Sequence, residues 1–377
     1  MAPGGDSRKF TTPGIVKDVI EQHADDAAFL WRLRDAATDQ PHYALSHLAD
    51  LEERVDANID GLRVAQEAGL GIAWAQLEQS GGPGELFVVA MLSLGSRDPS
   101  KIERVLQFAE TVPQSRRGLF GAVGWVARDV LRGQVMAWLD AASSFRRLVG
   151  TIACSLHRAD VGTRMERLLA DEPPVRARTL RLVGELGRLD LREHLGRSRD
   201  DADEACRAWA TWSAGLLGDR ANTIPVLQEY AVAGKGVFKW QALDLAVRLM
   251  DRENAISWLK TLGRDPRHAR LLVVAVGSLG DAAAVPWLIQ KMSVPALARV
   301  AGESFSMITG VDFSKSDLDG KVPEGFAAGP NDDPGDENVE MDEDENLSWP
   351  HQAKVQAWWQ KEQARFTQSV RYVRGLP

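Results

Sequence analysis

The chain of 377 residues has only two cysteines, Cys154 and Cys206. They lie far apart among apolar residues, so neither a disulfide framework nor a thiolate metal site is expected, and both read as small buried hydrophobes. Such sparse cysteine points to a reducing compartment. Long apolar runs are also missing. Nowhere do the ~18 consecutive apolar residues of a membrane span occur, and no apolar stretch follows the basic residues of MAPGGDSRKFTTPG, so neither a membrane span nor a secretory signal is expected. Catalytic signatures are lacking as well: the sequence contains no HExxH, no GxSxG and no Walker-type loop. The glycine-rich stretch SGGPG at 80–84 has neither the lysine nor the flanking strand of a phosphate-binding loop. The seven histidines are dispersed, and His23, ahead of Asp25 and Asp26, has no second histidine in helical register to share a metal. Glu103 and Glu166 fall on separate helices, and nothing pairs them as acid and base. No catalytic residue, metal ligand or cofactor is expected.

The charge is unevenly spread. The formal net charge is −8, yet the tract NDDPGDENVEMDEDEN at 331–346 carries nine carboxylates and no cation. Without those nine charges the remainder stands at +1. A near-neutral body with one acidic tract argues against nucleic acid as a partner, which would call for a basic chain. The tract lacks EF-hand spacing, so no specific calcium site is expected, and its composition cannot supply a core.

What is present is a period. The stretch LLVVAVGSLGDAAAVPWLIQKM at 271–292 reads as a helix, a stop at Gly280, a cap at Asp281 and a second helix with Pro286 in its first turn. The last apolar residue of each first helix recurs at Leu94, Val126, Leu156, Leu186, Leu217, Leu249, Leu279 and Thr309, in steps of 30 to 32 residues. Gly follows at 95, 187, 218, 280 and 310, and the second helices carry pairs such as Trp138-Leu139, Trp258-Leu259 and Trp287-Leu288. Ile224-Pro225 repeats Val285-Pro286. A helix pair alone exposes an apolar face, and stacking pairs buries it. The expected fold is therefore all-α: a right-handed α-solenoid of about eight short repeats of ~31 residues with helical caps at both ends. The expected organisation is a disordered 1–14, an N-terminal helical cap over 15–79 with Ser46 capping its second helix, the repeats over 85–310, a linker with the acidic disordered tract over 311–346, and an aromatic C-terminal cap over 347–377 that packs back on the repeats.

Ten residues before each anchor stands a cation: Arg116, Arg146, Arg176, Arg207, Lys239 and Arg299, slipping by one to Arg270 in the seventh unit. Stacked repeats would align these into a column. It can be structural, each side chain bonding an acid or carbonyl of the neighbouring unit. It can equally be a basic groove for an acidic protein partner. The tract 332–345 could also lie along the column in cis. Twelve tryptophans are many for this length, and Trp209 and Trp212, three residues apart on one helix, form one aromatic patch that is a candidate for partner contact.

The repeat pattern resembles the compact HEAT variety found in bacterial scaffold proteins and bilin lyases, with VRARTLRLVGELG at 175–187 its nearest match. Two further segments carry a resemblance. VIEQHADDAAFLWRLRDA with PHYALSHLADLEERVDANIDGLRVA, and MITGVDF with LSWPHQAKVQAWW and FTQSVRYVRGLP, are similar to the two ends of a bacterial HEAT-repeat family of unassigned function often encoded with type VI secretion systems. That resemblance implies a cytoplasmic, non-enzymatic adaptor or chaperone that holds an effector or secretion component. The alternatives are an immunity protein against a co-encoded toxin and, from another class, a DNA glycosylase-like or bilin-lyase-like enzyme on the same scaffold.

Overall fold

A computed structural model describes residues 16–330, 335 and 339–377, and over these the chain is helical, with isolated β-bridges and no strand. The expected disordered segment 1–14 and residues 331–334 and 336–338 of the acidic tract lie outside the described residues. The chain divides into two compact units, Met1–Thr179 and Leu180–Pro377.

The first unit holds α1 (Lys17–Ala37), α2 (Leu45–Val64), α3 (Gln66–Ser80), α4 (Pro83–Ser96), α5 (Pro99–Thr111), α6 (Arg116–Trp125), α7 (Gln134–Leu139), α8 (Ser144–Leu156) and α9 (Met165–Leu169). Helix α10 (Pro173–Glu185) runs through the division. The second unit continues with α11 (Arg192–Ser198), α12 (Glu204–Leu216), α13 (Arg220–Ala233), α14 (Gly236–Leu249), α15 (Arg252–Leu262), α16 (Ala269–Leu279), α17 (Val285–Lys291), α18 (Pro295–Thr309) and α19 (Gln352–Glu362).

In the first unit α4 is apolar on all sides, which suits only a helix enclosed by others. It packs against α1, α3, α5 and α6, and α6 packs in turn on α8. Phe87 at its centre is fully buried, stacks on Trp31 at 4.8 Å and meets the edge of Trp125 at 5.3 Å. In the second unit α12 packs on α14, α14 on α16 and α16 on α18, while α13, α15 and α17 each pack beside a neighbouring first helix.

The stop-and-cap chemistry read at 280–286 is present. Gly280 is left-handed (φ 73°), the Asp281 carboxylate accepts from Ala283 N at 3.0 Å, and Pro286 is the second residue of α17. Gly187, Gly218 and Gly310 are left-handed stops too. Elsewhere the details differ. Gly95 lies inside α4, and Arg97 (φ 56°) makes the stop. Pro225 sits inside α13, because that helix starts at Arg220 without the 3-10 turn that precedes α17. Ser46 is not a cap: α2 starts at Leu45, and the Ala44 amide donates to His47 Nδ1 at 3.2 Å. The segment 15–79 contains a third helix, α3, set off by left-handed Gln66.

The end of the chain is ordered by contact. Val311, Phe313 and Leu318, in the expected linker, are buried in the second unit's core. Helix α19 packs on α17, and Trp358 and Trp359 present their rings edge-on to Phe305 of α18 at 5.5 and 6.5 Å. Residues 371–375 then cross the ends of three first helices. Arg371 donates to the carbonyls of Val247, Arg248 and Met250, Tyr372 N donates to Gly280 O at 2.8 Å, and Arg374 N donates to Met307 O at 2.6 Å.

Candidate functional site

The cations of the expected column occupy two kinds of position within their helices. Counting any leading 3-10 turn as part of the helix, Arg116, Arg147, Arg176, Arg207 and Lys239 are the fourth residue of their first helices. The last four carbonyls of a helix lack intrahelical donors and carry the negative end of its dipole. A guanidinium at the fourth position reaches back to those of the preceding second helix or of the residues just after it. Arg116 donates to Ala109 O and Glu110 O at 2.9 Å each, Arg207 to Asp201 O and Ala202 O at 2.6 and 2.9 Å, and Arg176 to Asp171 O. In α8 the carbonyl contact belongs to Arg147, which donates to Ala141 O and Ala142 O. Arg146, one residue earlier, instead grips Glu103 of α5 in a two-bonded pair at 2.5 and 2.9 Å, and that hydrogen bond holds the Glu103 carboxyl below its ordinary pKa. Lys239 lies over the ring of Trp240 at 5.2 Å.

Arg270 and Arg299, each the fifth residue by the same count, bond no carbonyl but carboxylates of the acidic tract. Arg270 meets Asp344 through two bonds of 2.7 and 2.8 Å and Glu343 at 3.0 Å, and Arg299 meets Asp342 at 2.5 Å. Asp344 is 5% exposed and Arg299 9%, so the Arg299–Asp342 pair is largely withdrawn from water, whereas Arg270 and Glu343 keep an exposed side. The Arg299 guanidinium also lies 5.8 Å from the ring centre of Phe326 and 5.5 Å from that of Trp349. Residues 342–344 of the tract therefore lie on Arg270 and Arg299. Burial works to raise the Asp342 pKa, but the Arg299 hydrogen bond and the Asp344 amide outweigh it and leave it below the ordinary value. A depressed carboxyl contributes its stability above its unfolded pKa, near 4, and loses it as pH falls through the folded value. Asp342→Asn is expected to cost the second unit about 2 kcal/mol at pH 7. That difference should shrink towards zero as the pH is lowered from about 5, read from denaturant midpoints by tryptophan fluorescence. A pH-independent difference would contradict the pairing.

Trp209 and Trp212 do meet, edge to face at 5.5 Å, and Phe238 joins Trp209 at 5.4 Å. The Arg181 guanidinium covers the Trp209 ring at 4.4 Å, so this aromatic patch already has a cation on it.

No protein family, curated protein or solved structure matches the chain. The chemistry must therefore be read from the groups themselves. Among the described residues no three His, Cys, Asp or Glu side chains gather to hold a metal ion, and no helix is long and apolar enough to cross a membrane. Burial pushes the Cys154 thiol up to about 11, which leaves almost no thiolate at neutral pH. An open groove of about 590 Å³ lies between α13 and α15. Ile224, Leu249, Met250 and Trp258 give it apolar walls, and Arg220, Asn254, Ser257 and Thr261 give it polar ones. Sequence reasoning missed this groove. Its walls come from three helices at mixed positions of the repeat, and no single-helix pattern announces them.

Proposed function

We propose that the chain is a non-enzymatic α-solenoid that binds protein as a scaffold or adaptor. The open groove between α13 and α15 carries the reading: it pairs apolar with hydrogen-bonding walls, and its lining carboxylate, Asp251, is taken up as the cap of α15. The period near 31 residues and the stacking of first helix on first helix in each unit support the solenoid of about eight HEAT-like repeats, an architecture whose open surfaces serve as binding faces. The similarity of the two chain ends to the family encoded with type VI secretion systems supports a cytoplasmic partner drawn from that apparatus or its effectors.

The test is capture of the tagged protein from its own host, followed by mass spectrometry. A protein partner in stoichiometric amount is expected, retained by Lys361→Glu, at an exposed residue that does not line the groove, and lost with Ser257→Arg, which places a long side chain in the groove from an exposed position. Recovery of nucleic acid instead of protein, or a partner indifferent to Ser257→Arg, would overturn the reading.

A further inference from the structure

Beyond Gly310 the chain leaves the helices and returns to the point it left. Gly320 N donates to Trp349 O at 2.7 Å and His351 N to Leu318 O at 2.8 Å, so the intervening segment is pinned at one junction. Within it, residues 342–347 form a built turn. Asp342 Oδ1 accepts from Asp344 N at 3.0 Å, Glu345 N donates to Asp342 O at 3.2 Å, and Leu347 N to Asp344 O at 2.9 Å. The turn sends Asp342 to Arg299 of α18 and Asp344 to Arg270 of α16.

We propose that Arg270 and Arg299 form a two-pronged site for a turn bearing Asp-x-Asp on an acidic protein partner, and that residues 342–344 occupy this site in cis. Arg116, Arg176 and Arg207 give donors to carbonyls at or just beyond a helix end, and Arg147 divides its donors between such carbonyls and Asp171 of its own unit. Arg270 and Arg299, one residue further along, present donors to carboxylates of the acidic tract, Arg270 through paired N–H groups that match the two oxygens of Asp344 in number and geometry and Arg299 through one bond to Asp342. The bonds of the junction, of α19 and of the tail are made by other groups than residues 342–344, so the turn can give up these arginines without breaking them. Tethering gives the internal turn an effective concentration of about millimolar. A short acidic peptide with no other contacts therefore does not displace it, and a partner that adds contacts of its own does. Nucleic acid is the poorer occupant: the site offers two cations, and the net negative charge of the chain, −8, repels a polyanion. The proposal rests on the scaffold reading for the existence of a partner, and on the ion pairs alone for the site.

The probe is a fluorescein-labelled peptide of the chain's own sequence 339–348, VEMDEDENLS, followed by fluorescence anisotropy with the purified full chain. Two opened proteins are compared with the intact one. In the first, Asp342→Asn, Glu343→Gln and Asp344→Asn neutralise the turn but keep its backbone bonds. In the second, residues 321–348 are replaced by Gly-Ser-Gly across the pinned junction. Both opened proteins should bind the peptide at least ten-fold more tightly than the intact chain, and adding Arg270→Gln with Arg299→Gln should remove the gain. The proposal fails if opened proteins with intact helical circular dichroism bind no better than the intact chain, or if a single-stranded oligonucleotide binds them as tightly as the peptide. It fails too if both lose the helical signal, since the turn would then be part of the fold. No host partner enters this experiment, so its failure leaves the scaffold reading standing.

Discussion

Phe305→Ala is expected to destabilise the second unit by about 3–5 kcal/mol and to release the chain's last helix with it. Phe305 is fully buried, and its ring meets the edges of Phe313 at 5.9 Å, Trp358 at 5.5 Å and Trp359 at 6.5 Å. It is the ring on which α18, the segment after Gly310 and α19 converge. Removing it deletes the transfer energy of an aromatic side chain and leaves a cavity that three rigid neighbours cannot collapse to fill. The expected signature is a lower denaturant midpoint together with fast hydrogen exchange over 352–377. Phe87→Ala is the control. Phe87 is as deeply buried but belongs to the first unit, where it stacks on Trp31. It should cost a similar amount and leave exchange over 352–377 unchanged. Equal protection of α19 in both variants would show that Phe305 does not hold it.

The helices were legible in the sequence because each carries its own evidence. The apolar spacing of α16, the left-handed Gly280 and the Asp281 cap stand within 13 residues of one another, and each is satisfied by local chemistry. Helix α3 was missed because α2 passes into it through Gln66, a residue that rarely takes a positive φ and gives no signal of a break. At 146 the residue named by the spacing bonds an acid, Glu103 of α5, one of the two kinds of partner expected, while the carbonyl contact falls to Arg147. Counting from the end of a helix assumes equal lengths, whereas the carbonyl contact is fixed by distance from the start. Hence Arg147 makes it in α8, and the sequence count names its neighbour. The packing of 347–377 was legible from its aromatics, since Val355, Trp359 and Tyr372 could not all stay in water. The path of 371–375 was not, because it is held by backbone groups that every residue possesses.

That path explains why glycine stands at both 280 and 310. Each is left-handed, at φ 73° and 75°, which alone favours glycine. Each is also pressed against the tail: a Cβ at Gly280 would lie 2.3 Å from Tyr372 O, and one at Gly310 2.3 Å from Arg374 O. A backbone oxygen cannot rotate away as a side chain can, so the tail must leave. Gly280→Ala is therefore expected to cost the left-handed penalty of about 1–2 kcal/mol and, in addition, the tail's hydrogen bonds. Those include the Arg371 bonds to Val247, Arg248 and Met250, and bonds from a charged donor contribute about 1.5–3 kcal/mol. The total is about 2.5–5 kcal/mol. Gly187→Ala separates the two contributions, because Gly187 has the same backbone (φ 68°) and open space where the Cβ would go. It should cost only the left-handed part. In a chain ending at residue 369, Gly280→Ala should fall to the Gly187→Ala value, since there is no tail left to displace. If instead the cost of Gly280→Ala is the same with and without residues 370–377, the glycine serves the helix stop alone and the tail contributes nothing to the second unit. Denaturant midpoints of these four proteins decide between the two.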